Sequence, residues 1–459
     1  MVLKGGIVIG IFLFFTNILI SQERQFKKGN EAFDNLAYAK AIRLYKESYR
    51  KGGQYKELYE KLADSYYFNS ELGEAVFWYK KLIVSYSGRI KPEHIDRYAN
   101  SLIAISQYKE ANKIRFQQDK EMSENLKEND SLDYLKRIEN LSGRFVLDTL
   151  TINSQYSDYA PSMIYEDQLI FTSSRNTGRN TSFIHEWNDE PFLDVYKISK
   201  VTKDSMGYDI SRLRGDVNTR FHESSTSFTK DKKTMFFTRS NFLKGKVKYD
   251  KNGYVLLKMY KAHFNGKKWE NIEELPFNSE EYSVSHPSLS SDGRFLYFAS
   301  DMPGGYGGSD IYVVEIDEYG CFKKPKNLGK PINTAGKETF PYISDEGRLF
   351  FASDTHPGLG GLDIFMARTN FDGAVIVENL GKPINSNRDD FTFVIEEKSK
   401  KGYFASNRIG GVGGDDIYGF RQITSFPKQY PIYRIYKRIE KHVLLQEDTI
   451  NKGQAITSW

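Results

Sequence analysis

Seven histidines, two recurring acid and serine positions and a set of glycine-rich loops are the residues of this sequence that could do chemistry. His94, His185, His222, His263, His286, His356 and His442 could serve as metal ligands or bases, but none forms a close His-x-His or HExxH pair. A metal centre would need convergence from distant positions, and none is assigned. Asp301, Asp310, Asp354, Asp363, Asp415 and Asp416 lie beside Gly-rich loops, where carboxylates and backbone carbonyls could bind calcium. Because they recur at one place in successive repeats, they read instead as turn caps. The loops, such as Gly304–Gly308, lack the following Lys-Ser/Thr of a phosphate cradle and do not open a helix. Ser300, Ser353 and Ser406 recur at a spacing of 53 residues. A catalytic serine would be singular, so a Ser-His-Asp triad is disfavoured. Cys321 is the one cysteine, which excludes an intrachain disulfide framework and a multi-cysteine zinc site. No catalytic residue, metal ligand or cofactor is therefore expected from the sequence.

Two sets of repeats must position these residues. In residues 22–120, Gly29 and Ala63, Ala41 and Ala75, and Tyr45 and Tyr79 each lie 34 apart, with Tyr38 opposite Leu72. Ala99, Tyr108 and Ala111 repeat the pattern 36 residues further on. Small residues at two fixed places let two helices approach closely, and the aromatic fills the gap to the next pair. Residues 121–143 read as a final helix or linker, with helical spacing at Leu126, Leu132, Leu135 and Leu141.

From 144 to 420 the grammar changes to short β-branched and aromatic runs separated by Gly, Asn, Ser and Asp. His286–Ile316, Phe340–Arg368 and Asp390–Phe420 are clear copies of one unit, and diverged copies begin at Ala160 and Glu223. Each follows a short marker: Ile152-Asn153-Ser154, Val217-Asn218-Thr219, Phe277-Asn278-Ser279, Ile332-Asn333-Thr334 and Ile384-Asn385-Ser386. About four strand-like runs per unit, repeated five times, predict a five-bladed propeller. The expected fold is thus an α+β multidomain chain, a helical solenoid followed by an all-β propeller.

The 34-residue helical unit resembles the tetratricopeptide repeat. The FAS-x-R/D and GG-x-GG-x-DIY units resemble WD40-like propeller repeats of the TolB type. Together with the N-terminal segment, the chain resembles Bacteroidetes OmpA-family envelope proteins, including the PorE-like component of type IX secretion. The resemblance covers about residues 1–420. It implies a periplasmic, outer-membrane-associated protein whose helical array and propeller faces bind other envelope proteins. Those relatives continue into a regulatory-like β domain and an OmpA-type domain. This chain has neither, so the resemblance does not carry peptidoglycan binding.

Residues 1–21 have the n/h/c layout of a secretory signal, with Lys4, an apolar run from Ile7 to Phe15 and a small residue at Ser21. An uncleaved anchor is the alternative reading; no other segment looks like a transmembrane helix. Residues 421–459 hold seven Lys/Arg (Arg421, Lys428, Arg434, Lys437, Arg438, Lys441, Lys452) against three acids (Glu440, Glu447, Asp448). With Lys4, that excess accounts for the whole net charge of +5, and residues 22–420 are neutral. No global basic field for nucleic acid exists in the body of the chain. The tail reads as a plain tail, an interaction helix around Tyr433–Leu445, or an early end of the reading frame. The function expected from all this is a non-catalytic scaffold, not an enzyme. A propeller hydrolase or a carbohydrate-binding propeller is the alternative, recognisable by the residues that face the central channel.

Overall fold

The structure is a computed structural model. It describes residues 21–86, 90–118, 133–148, 150–165, 168–175, 184–200, 208–369 and 374–427. The signal-like segment 1–20 and the tail beyond 427 lie outside the described residues. The chain divides into two compact units, one helical and one of β-sheets.

The helical unit is built of three helical hairpins. A helix through 21–34 (α1) precedes α2 (Tyr38–Arg50), α3 (Lys56–Phe68), α4 (Leu72–Ser85), α5 (Pro92–Ala104) and α6 (Tyr108–Gln118). The repeat is visible in the backbone as well as in the side chains. Leu36, Ser70 and Ser106 each take a left-handed φ, between 58° and 62°, just after the first helix of a hairpin. In each case the next residue's N–H reaches back to the carbonyl of Ala32, Tyr66 or Leu102. This closure satisfies helix-end carbonyls and aims the chain into the second helix. Ala41, Tyr45, Leu58, Leu62, Ala63, Ala75, Tyr79, Ala99 and Leu102 form the core. A Cβ on Gly29 would sit 2.5 Å from the Tyr45 ring, so the first small position must be glycine. Tyr45 donates to Asn30, and Tyr79 donates to Asp64 34 residues on. Residues 184–191, which the sequence places inside the propeller, belong to this unit. Their short β-hairpin (β4, Ile184–His185; β5, Glu190–Pro191) presents Trp187, whose carbonyl accepts from Ala39 N–H and whose Nε1 donates to Phe68.

The second unit begins with a short helix, α7 (Asp133–Leu141), and contains five four-stranded antiparallel sheets. The first blade is β2 (Asp158–Tyr165), β3 (Gln168–Ser173), β6 (Asp194–Lys200) and β7 (Tyr208–Arg212). The second is β8 (Glu223–Phe228), β9 (Thr234–Ser240), β12 (Leu257–Phe264) and β13 (Trp269–Glu274), with a side hairpin β10 (Phe242–Leu243) and β11 (Lys246–Val247). The third is β14 (Val284–Leu289), β15 (Phe295–Ser300), β16 (Asp310–Glu315) and β17 (Lys326–Asn327). The fourth is β18 (Glu338–Ile343), β19 (Leu349–Ser353), β20 (Asp363–Thr369) and β21 (Val375–Asn379). The fifth takes only β22 (Asp390–Glu396), β23 (Lys401–Ser406) and β24 (Asp416–Gln422) from the end of the domain. Its outer strand is β1 (Phe145–Asp148), paired as Phe145↔Gln422 and Leu147↔Phe420, so the start of the propeller closes its own ring.

Middle strands read as continuous apolar runs because they are covered on both faces. In β15, Phe295, Tyr297 and Ala299 pack toward the fourth blade, while Leu296 and Phe298 pack toward the second. Period-two alternation thus feeds two interfaces instead of one interface and solvent. The asparagine of each marker clamps a blade junction. Asn153, Asn218, Asn278, Asn333 and Asn385 each accept from a third-strand N–H and donate to the same residue's carbonyl, at 2.7–3.0 Å. The partners are Ile417, Val195, Met259, Ile311 and Ile364. The Gly-rich loops have two separate constraints. A Cβ on Gly305, Gly358 or Gly411 would strike the capping carboxylate of Asp310, Asp363 or Asp416. A Cβ on Gly307, Gly360 or Gly413 would come within 2.0–2.3 Å of a carbonyl of the following blade's linker.

Candidate functional site

The recurring acids and serines singled out in the sequence are spent on the frame. Asp310 accepts from Tyr306 N–H at 2.6 Å, Asp363 from Gly360 N–H at 3.2 Å, and Asp416 from Gly413 N–H at 3.2 Å. These are the turn caps that the repeats imply. Ser300 donates to the Ser283 carbonyl, Ser353 to Glu338, and Ser406 accepts from Arg408 N–H. His94 contacts buried Asp64, and His356 Nε2 lies 2.9 Å from the Ile332 carbonyl. Cys321 is exposed in a hairpin, with its N–H on Asp317. Among the described residues no three His, Cys, Asp or Glu side chains converge as a metal site requires. His442 lies outside the described residues.

A second set of acids opens four of the five inner strands. Asp158, Glu223, Glu338 and Asp390 accept from the N–H and hydroxyl of the marker residue four positions earlier: Ser154, Thr219, Thr334 or Ser386. Arg175 and Arg408 bridge Asp158 and Asp390 at 2.6 Å, and Arg239 lies 3.3 Å from Glu223. Burial pushes Glu223 up to about 8 against the opposing pull of Arg239. Asp363 is also held well above the usual carboxylate range, by burial and then by the charge of Asp390 across the blade junction.

The channel itself presents a different ring. Each inner strand breaks register two residues after its first position, and the residue at the break has a positive φ. These residues are Ala160 (52°), Ser225 (38°), His286 (58°), Phe340 (48°) and Thr392 (55°). Left-handed backbone at a non-glycine costs on the order of 1 kcal/mol, so five such bulges persist only because the surrounding sheets impose them. All five residues line a funnel of about 1170 Å³. Its lining also carries hydroxyl residues (Ser162, Ser227, Ser288) and mixed charges, Lys230, Lys232 and Lys401 with Asp292, Asp345 and Glu396.

Two of the ring residues, His286 and Phe340, belong to an aromatic cluster. The His286 ring lies 3.8 Å from that of Phe340, which in turn packs on Phe391 at 5.1 Å. Tyr159 completes this cluster, 5.8 Å from Phe391. His286 Nδ1 lies 2.8 Å from Ser225 Oγ, and its backbone N–H donates to Thr238 Oγ1 at 2.8 Å. His286 lines the funnel, and burial pushes its pKa down to about 3, so it is neutral. The Thr226 and Thr392 hydroxyls are buried and have no partner. An orphaned buried hydroxyl costs about 1–3 kcal/mol.

Sequence reasoning found the repeats but not this ring. Its five members share a backbone conformation and no side-chain type. The available signal was positional: each lies two residues after the first residue of an inner strand.

No protein-family model matches the sequence, and no curated protein matches it. Among solved structures, an α-L-arabinofuranosidase from Lactobacillus brevis is similar at 14% identity and a TM-score of 0.40, over 60% of this chain and 93% of that one. The GH93 α-L-arabinofuranosidase of Fusarium graminearum, solved with arabinobiose, is similar at 11% identity and a TM-score of 0.34, over 61% and 98%. Trypanosoma rangeli sialidase, solved with the inhibitor DANA, is similar at 10% and 0.33, over 65% and 58%. Each is an enzyme, which runs against the expectation of a non-catalytic scaffold that is not an enzyme; at these identities and TM-scores the likeness is one of fold. The physical reason lies in the channel. That expectation rested on seeing no convergent groups on the channel strands, whereas the bulges bring a serine and a histidine from adjacent blades together in the lining of the funnel. The likeness is one of architecture and transfers no substrate or residue.

Proposed function

We propose that the funnel binds a neutral, hydroxyl-rich ligand of the carbohydrate class, and that the propeller acts on such molecules. One observation carries this reading. An aromatic pair (His286, Phe340) and a set of hydroxyl residues (Ser162, Ser227, Ser288) line one cavity large enough for an oligosaccharide. The C–H face of a sugar ring would stack on the aromatics, and its hydroxyls would meet the Ser162, Ser227 and Ser288 side chains of the lining. No member of the ring carries a charged side chain, which suits a neutral ligand.

Calorimetric titration of the full chain with a panel of neutral oligosaccharides tests this. Binding by at least one member is expected, weakened about tenfold or more by Phe340→Ala. No binding at millimolar sugar, or equal binding by the variant, would refute it.

The repeat motifs support kinship with the Bacteroidetes OmpA-family envelope proteins, and the layout of residues 1–21 supports export. In this reading the funnel meets its ligand outside the cytoplasm. Cell fractionation with an epitope-tagged chain checks it, since recovery only in the cytosol would count against export.

A further inference from the structure

Ser225 and His286 form a pair that sugar binding alone does not require. We propose that Ser225 is a nucleophile, activated by His286, for hydrolysis of acyl esters admitted to the funnel. The inference rests on the funnel reading only in that both use the same opening. A catalytic serine must be singular, and here it is: the equivalent ring positions in the other blades hold Ala160, His286, Phe340 and Thr392. The serines that recur along the sequence are the structural ones.

The geometry is that of a nucleophile and its base. Ser225 Oγ lies 2.8 Å from His286 Nδ1, within proton-transfer reach. Phe340 fixes the imidazole plane from one side, and Thr238 Oγ1 holds the His286 backbone N–H. In the tautomer with hydrogen on Nε2, Nδ1 is free to accept the serine proton. Burial alone acts on the ring's proton affinity, and no charged group faces it. The base form is therefore present at every working pH, at the cost of low basicity. Ser224 Oγ, 3.2 Å from Ser225 Oγ, is the serine's other neighbour.

In the first step Ser225 Oγ bonds to the ester carbonyl carbon and its proton passes to Nδ1. The ester C–O bond then breaks, and the departing alkoxide takes that proton to leave as an alcohol. Water repeats the sequence on the acyl-serine and releases the carboxylic acid, restoring Ser225. Atoms and charge balance with water as the only co-reactant. No carboxylate orients the imidazole, so turnover is expected to be slower than that of a full triad.

The test uses the full chain with a fluorophosphonate probe and with p-nitrophenyl acetate and butyrate. One label is expected, on the peptide that contains Ser225. Ser225→Ala and Ser225→Gly should both abolish labelling and turnover; glycine tolerates the positive φ, so the second variant guards against misfolding. His286→Gln should slow hydrolysis by about 100-fold. The wild-type pH–rate profile should show no inflection between pH 6 and 7. Absence of labelling, or labelling that persists without the Ser225 hydroxyl, overturns the inference. If oligosaccharide binding survives that outcome, the funnel reading stands and only the nucleophile is lost.

Discussion

Removal of one marker asparagine should unlock a blade junction at a cost set by its hydrogen bonds. Asn385 accepts from Ile364 N–H, donates to the Ile364 carbonyl and donates to Asn379 Oδ1, each at 2.8 Å. Both Asn385 and Ile364 are buried. The Ile364 carbonyl keeps a second partner, the Leu380 N–H at 3.1 Å. Asn385→Ala therefore orphans one backbone donor outright, at about 1–3 kcal/mol, and loses two further bonds worth about 1 kcal/mol each. The expected total is about 3–5 kcal/mol. Urea unfolding should show a lower midpoint at unchanged slope. Amide exchange should accelerate at Ile364 more than at Ile311, whose clamp is Asn333. A loss below about 1 kcal/mol with Ile364 still protected would refute the clamp and reduce the marker to a turn sequence.

Three further outcomes are expected. Glu223 has a folded pKa near 8, above its ordinary 4.5, so between those values the folded chain holds the extra proton and stability falls as pH rises; Glu223→Gln should flatten thermal stability measured from pH 5 to 8. Gly413→Ala places a Cβ 2.0 Å from the Tyr156 carbonyl and should cost more than 2 kcal/mol, or displace the loop in a crystal structure. Phe145→Ala removes the aromatic that joins β1 to Phe393, Phe420 and Phe426, and should lower the unfolding free energy by about 3–5 kcal/mol; an unchanged denaturation midpoint would mean that β1 does not hold the ring shut.

Most of the frame was legible because repetition amplifies weak signals. Five Ile/Val/Phe-Asn-Ser/Thr markers announced five junctions, and Gly29, Ala63, Tyr45 and Tyr79 announced the helical hairpins. Three features escaped. β1 is four residues long and lies before the first marker, so nothing local ties Phe145 to Gln422. The excursion through Trp187 is a single insertion, without a second copy to compare. The funnel ring is hidden because Ala160, Ser225, His286, Phe340 and Thr392 are alike only in backbone angle. Repeats reveal what is held constant, and a binding or reactive site is where they differ.

The closing strand sets an order of events during synthesis. Phe145–Asp148 leaves the ribosome more than 250 residues before its partner Asp416–Gln422. Until then the outer strand of the fifth blade has no partner, and β1 is an unpaired edge that another chain could capture. The ring is thus completed only by the longest-range pairing in the domain, which is the slow kind of contact to form. A nascent chain stopped after the fourth blade would carry a folded arc with two open ends, vulnerable to pairing with its neighbours on the same polysome.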